Sequence, residues 1–259
     1  MPRILEIGRV DALRQLSGGY FTITLRLPKI SACARPSEFI MLSVRPPGDP
    51  GWDPLLPRPF TFLRVRPPDV EILARVVGRG TALLASTKTG TLLQALGPLG
   101  QGFQAPASPE TQALFVAGGV GVAPFLHFAE TLKQGQRPVL LYGGRTRADI
   151  QLVDDFEAAN MKVELATEDG SFGTKGRVTV LLEKWVATRK NLHVYACGPT
   201  AMMEAVAKMC RGIPCQVSLE ANMGCGIGIC RGCAVPLANG GYAEICVDGP
   251  VRDATEIWG

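Results

Sequence analysis

The chain has 259 residues, 46% hydrophobic and 19% charged, with a formal net charge of +4 from 27 basic and 23 acidic side chains. That balance belongs to a globular chain with a sizeable core, long enough for two domains, and it excludes a disordered or repetitive chain. The thin positive excess contains no run of Lys and Arg interleaved with aromatics, which argues against nucleic acid or an anionic membrane as partner.

Residues 113–129, ALFVAGGVGVAPFLHFA, are uncharged, but three glycines and a proline break them and they fall short of a membrane-crossing helix. The opening MPRILEIGRV lacks the apolar run of a secretion signal, so the expected location is the cytoplasm. Thiols stay reduced there, and the eight cysteines read as metal ligands or packing groups rather than disulfides.

From the N-terminus to about Gly100, short alternating runs (YFTITLRL, FIMLSVR, FTFLRVR, VEILARVV) are punctuated by Pro and Gly. They predict antiparallel strands closing into a small barrel or sandwich, with GPLGQGF at 97–103 as the turn-rich boundary. Within this half, LPRPFTF carries Arg58, Pro59, Phe60 and Thr61. An arginine fork can clamp a phosphate, an aromatic can lie on an isoalloxazine ring, and a hydroxyl can bond the ring nitrogen that exchanges hydride. In isolation the same run reads as an ordinary strand after a proline.

From about residue 110 the rhythm changes to strand, turn, helix. ALFVAG is a buried strand, GVGVAP a glycine turn and FLHFAETLKQ a helix; PVLLYGGR, KVELATEDG and LHVYACGP are further strands, and TAMMEAVAKM is a helix. The alternation predicts a doubly wound parallel sheet. Gly118, Gly119 and Gly121 after the first strand let the backbone approach a pyrophosphate at a helix start. Cys197, Gly198 and Pro199 end a second strand at the same carboxyl edge, where ligands bind in open sheets. A dinucleotide, NAD(H), is the expected ligand. Glu168 and Asp169 follow VELAT, where a carboxylate repels a 2'-phosphate or bonds a ribose hydroxyl.

The tail gathers Cys225, Cys230, Cys233 and Cys246 with four, two and twelve residues between successive thiols. This is the plant-type spacing for a 2Fe-2S cluster. Zinc is the alternative, but structural zinc sites use two Cys-x2-Cys pairs, and only one such pair is present. Cys33, Cys210 and Cys215 read as packing or surface thiols. A nucleotide half and a one-electron cluster need a carrier between them, and flavin handles both hydride and single electrons. This context turns RPFT into a flavin strand, with Thr61 and Cys197 as the candidate catalytic residues.

RPFT, GRGT at 78–81, GGVGVAP, CGP and the C-terminal cysteines, in this order, make the chain resemble the ferredoxin reductase superfamily from end to end. Within it, CVDGPVRDATEIW is similar to the ending of the electron-transfer subunits of class 1B dihydroorotate dehydrogenases. The resemblance implies an FAD-binding β-barrel over 1–103, an NAD-binding α/β domain over 104–216 and a 2Fe-2S subdomain over 217–259. It implies FAD held by Arg58, Pro59, Phe60 and Thr61, by Leu73, Ala74 and Arg75, and by Gly80 and Thr81. It further implies a partner subunit carrying FMN, where dihydroorotate becomes orotate; a lasting contact with closed symmetry then favours a heterotetramer of two of each chain. Small FAD and 2Fe-2S subunits of a sulfide dehydrogenase or of an NADH-dependent ferredoxin:NADP oxidoreductase are the alternative in the same superfamily. A redox sensor is the alternative outside enzymes. His127 and His193 read as structural.

Overall fold

The computed structural model describes residues 3–51, 53–132 and 136–259. The first half holds β1 (Ile4–Gln15), β2 (Tyr20–Arg26), α1 (Pro28–Ser31), β3 (Phe39–Leu42), β4 (Arg58–Thr61), β5 (Arg64–Arg66), β6 (Asp69–Arg75), α2 (Arg79–Ala85) and β7 (Leu92–Leu99). Its seven strands form one antiparallel sheet in the order β4-β3-β7-β1-β2-β6-β5. The sheet curls around a core that includes Phe21, Ile23, Leu25, Ile40, Leu42, Val70 and Ile72. Burying side chains of this size contributes about 1.5–3 kcal/mol each.

Two expectations in this half change. FTFLRVR splits: Phe62 and Leu63 are both buried in succession, which breaks the alternation of a single strand, so β4 pairs with β3 while β5 pairs with β6. At the expected boundary, Gly97–Leu99 extend β7, with Gly97 opposite Ile4 and Leu99 opposite Phe39. Gly and Pro read as turn residues there, but a strand end tolerates the missing N–H of Pro98.

The second half holds β8 (Gln112–Gly118), α3 (Ala123–Thr131), β9 (Val139–Gly144), α4 (Val153–Ala158), β10 (Lys162–Thr167), β11 (Thr174–Lys175), α5 (Thr179–Thr188), β12 (Leu192–Cys197), α6 (Thr200–Met209) and β13 (Cys215–Ser218). The tail adds the hairpin β14 (Ala234–Pro236) and β15 (Tyr242–Glu244), then β16 (Val251–Asp253) and α7 (Ala254–Trp258). The second sheet runs β11-β10-β9-β8-β12-β13-β16, parallel except at β16. The helix expected over FLHFAETLKQ ends at Thr131, and its last two residues lie outside the described residues.

Alternate side chains show why this sheet is covered on both faces. Leu114 and Val116 of β8 point to the core shared with α5 and α6, whereas Phe115 and Ala117 point to the core shared with α3 and α4. β9 and β12 alternate the same way, and such strands read as continuous apolar runs.

The two halves share their cores. Tyr20, Leu63 and Leu73 of the first half join the cluster around α3, and Phe39, Met41 and Leu99 join the cluster containing Cys233, Ile245 and Cys246. Polar ties add to this: Arg64 of β5 reaches Glu130 of α3 at 3.3 Å and Asp155 of α4 at 3.4 Å, and Arg75 pairs with Asp149 at 3.0 Å. The last strand, β16, returns to the edge of the second sheet beside β13, so the cysteine segment is anchored at both ends.

Candidate functional site

A cleft of about 880 Å³ opens between the two sheets, and three parts of the chain meet in it. Arg58–Thr61 of β4, Leu73–Arg75 of β6 and Gly78–Thr81 form one wall. Gly121, Ala123, Pro124 and Cys197 supply the nucleotide side. Ser218 to Gly224, with Cys230 and Gly232, close the third side.

The sequence-selected residues take distinct positions. The Arg58 guanidinium donates to the carbonyls of Leu56 at 2.8 Å and Pro57 at 3.3 Å and runs beside Gly80. Among the described residues it has no carboxylate partner, so it leaves a positive charge in the cleft suited to a phosphate. Thr61 donates its hydroxyl to the carbonyl of Glu38 at 3.1 Å. Thr81 spends its hydroxyl on the turn before α2, accepting from the amides of Val77 and Gly78 at 2.9 and 3.2 Å. Arg75 lines the cleft, but its guanidinium is held by Asp149 and lies 5.0 Å from the Tyr20 ring centroid.

On the nucleotide side the ends of β8 and β12 touch. A Cβ on Gly121 would strike the carbonyl of Cys197 and lie 2.7 Å from Gly198 Cα, so only glycine permits this approach. Gly118, Gly119, Gly198 and Pro199 sit at these strand ends but not in the cleft wall; Gly118 and Gly198 face each other, and Gly119 lies under the Tyr20 hydroxyl. Burial pushes the Cys197 thiol well up, which keeps it a neutral group at the cleft floor. After β10, Asp169 turns back on its own loop, accepting from the Ser171 amide at 2.9 Å and hydroxyl at 2.7 Å. Glu168 is the carboxylate there with no such bond among the described residues.

The four tail cysteines fall into two pairs. Cys225 neighbours Cys230, and Cys246 neighbours Cys233, with Cys225 also near enough to Cys246 to oppose its ionisation. Backbone amides turn toward the sulfurs: Ile227 and Cys230 donate to Cys225 Sγ at 3.4 Å, Gly228 to Cys246 Sγ at 3.2 Å and Cys246 to Cys233 Sγ at 3.4 Å. Burial opposes ionisation of Cys225, but the neighbouring amides together with the Cys230 side chain outweigh it and hold the thiol down at about 6. No group of three or more Cys, His, Asp or Glu surrounds one ion-sized position among the described residues. The two-plus-two arrangement suits two iron atoms, each bounded by two thiolates, and amide donors to sulfur are the means by which a protein tunes such a cluster. The loop rests on the first sheet: Gly226, at φ +73, packs against Met41 where a side chain would collide.

His127 and His193 lie outside the cleft wall. Burial lowers both, and His193 stacks on Tyr195 with ring centroids 4.4 Å apart. Glu220 was not singled out by sequence. It faces the open cleft two residues after β13, desolvation raises its carboxyl, and it lies close enough to Cys197 to oppose that thiol's ionisation. A lone Glu ahead of the cysteine loop gives no pattern to find it by.

Comparison with known proteins fits this geometry. Residues 115–208 match the oxidoreductase NAD-binding domain, and residues 220–258 match the iron-sulfur cluster binding domain of dihydroorotate dehydrogenase B. Over 255 residues the chain is 37% identical to the dihydroorotate dehydrogenase B (NAD(+)), electron transfer subunit of Geobacillus kaustophilus, covering 96% of each chain. The chain belongs to this family of electron transfer subunits. A family member from Desulforamulus reducens is 34% identical over 257 residues, covering 96% of each chain. Among solved structures, that of an NADH-dependent reduced ferredoxin-NADP oxidoreductase is similar with a TM-score of 0.85 and 29% identity, over 97% of this chain and 90% of that one. The ferredoxin reductase in carbazole 1,9a-dioxygenase shares the fold at a TM-score of 0.70 and 22% identity, over 83% of this chain and 68% of that one.

Proposed function

We propose that this chain is the electron-transfer subunit of an NAD-dependent dihydroorotate dehydrogenase in the cytoplasm. It receives electrons from an FMN-bearing partner that oxidises dihydroorotate and delivers them to NAD+. The observation that carries this reading is the single cleft whose walls come from the RPFT strand, the Cys197 strand end and the cysteine loop.

In this reading Arg58 and the Gly78–Thr81 turn hold the FAD phosphates, Phe60 and Leu73–Arg75 line the ring, and Cys225, Cys230, Cys233 and Cys246 hold a 2Fe-2S cluster. Bound in the cleft, the flavin supplies the exchange between a hydride and single electrons. Gly121 and Cys197 shape the place where nicotinamide meets it, and the neutral Cys197 thiol packs there without adding charge. Both histidines lie outside the cleft wall, and in this reading carbon oxidation is assigned to the partner. Exposed Ile229, beside Cys230, and exposed Leu56, next to Gly224, give the cluster side an apolar face for that subunit. A lasting contact of this kind buries about 2,000 Å² or more, and closed symmetry favours two copies of each chain.

Absorbance, iron and sulfide analysis of the anaerobically purified chain tests the cofactors. One FAD with iron and acid-labile sulfide near two each per chain supports the reading. A colourless protein with stoichiometric zinc defeats it.

A further inference from the structure

Thr61 lines the cleft, yet its hydroxyl hydrogen is already committed to the carbonyl of Glu38 at 3.1 Å. A hydroxyl whose proton is engaged can still accept through its lone pairs but no longer donate. The Glu38 carbonyl is itself held in place. Glu38 is 4% exposed, its Oε2 accepts from the Arg35 amide at 2.8 Å, and its own amide donates to the Arg35 carbonyl at 3.2 Å. This reciprocal pair closes the turn Arg35–Glu38, in which Ser37 takes a left-handed φ of 66. The Pro36 carbonyl lies against Gly102, leaving no room for a side chain there. Phe39, the next residue, then pairs with Thr61 across β3 and β4.

We infer that Glu38 is a positioning residue: its carboxylate locks the turn, its backbone carbonyl takes the Thr61 proton, and Thr61 offers only an acceptor to the hydride-exchanging nitrogen of the flavin. The inference rests on the proposed function and goes one layer deeper. That nitrogen accepts a hydrogen bond in oxidised flavin and carries a hydrogen to donate in reduced flavin, so an acceptor-only hydroxyl favours the reduced form. A loosened turn lets the hydroxyl rotate and serve the oxidised form instead.

The test is the flavin midpoint potential of the full, FAD-loaded chain, read by dye-equilibrated titration. Glu38→Ala should lower the reduced-to-oxidised ratio at fixed potential about tenfold, which is about 30 mV for a two-electron couple. Glu38→Gln, whose amide oxygen still accepts from the Arg35 amide, should keep the wild-type potential. In a Thr61→Val background Glu38→Ala should add no shift, which separates positioning from general loosening. Should Glu38→Ala not fold, Glu38→Asp makes the same comparison with a side chain too short for the Arg35 amide. An unchanged potential in the folded alanine or aspartate variant, or an equal shift in the Thr61→Val background, overturns the inference and leaves the proposed function standing. A wild-type chain that retains no FAD overturns both.

Discussion

Replacing Arg58 with alanine removes a cation that no carboxylate neutralises among the described residues. The side chain's protein bonds are to the carbonyls of Leu56 and Pro57, at 2.8 and 3.3 Å, and these residues are exposed and half-buried, so water can replace the guanidinium. The fold therefore loses little, and the loss concentrates on a bound anion. One charge-assisted hydrogen bond contributes roughly 1.5–3 kcal/mol, and 1.4 kcal/mol is about tenfold in affinity, so FAD should bind about 10- to 100-fold more weakly. Arg58→Lys should fall between, because it keeps the charge but lacks the planar fork. Flavin released into filtrates, followed by fluorescence against a dilution series, measures the change. Wild-type FAD affinity in the alanine variant would refute the assignment of Arg58 to the flavin phosphates.

Other substitutions probe the remaining walls. Gly121→Ala places a methyl against Cys197 and Gly198, so it should part the two strand ends and raise KM for NADH in dye reduction while FAD stays bound; an unchanged KM contradicts the nicotinamide placement. Glu168, with Asp169 occupied by Ser171, should make kcat/KM higher for NADH than for NADPH, and Glu168→Arg should narrow the ratio; a wild-type preference for NADPH contradicts it. Desolvation raises the Glu220 carboxyl, so its favourable contribution to folding is present below the usual carboxylate value and is lost as pH rises through the folded value. Urea unfolding of Glu220→Gln should therefore show a gain over wild type at neutral pH that fades in acid, and a gain independent of pH would be inconsistent with it.

Much of the second half was legible in the sequence because one signal served both prediction and packing. TAMMEAVAKM became the helix Thr200–Met209 without adjustment, and the apolar runs around Phe115, Leu140 and Tyr195 became strands buried on both faces. The first half was less clear. β1 exposes Leu5 and Ile7 on its outer face, at 62% and 55%, so its alternation does not separate inside from outside, and β7 ends in the turn-like Gly97 and Pro98. In the tail, strands of three residues such as Val251–Asp253 are too short to show a period.

The candidate site divides in the same way. Arg58, Thr61, Gly121 and the four cysteines stand in short motifs whose residue types state their chemistry. Glu38 and Glu220 do not, since each meets the site only through a three-dimensional neighbour: the Glu38 carbonyl accepts from Thr61, and Glu220 lies near Cys197. Arg75 and Thr81 stand out only by resemblance to a family, and the structure shows both lining the cleft with side chains committed to protein partners.

The proposed relay from partner to cluster to flavin to NAD+ is tested most directly by anaerobic dihydroorotate-dependent reduction of NAD+, measured with the purified chain alone and again with the catalytic partner subunit added. The chain alone should reduce dyes with NADH yet form no NADH from dihydroorotate, and NADH formation should begin only when the partner is present. Robust dihydroorotate-dependent NADH formation by the single chain would contradict the relay, as would a stable complex that turns over sulfide instead.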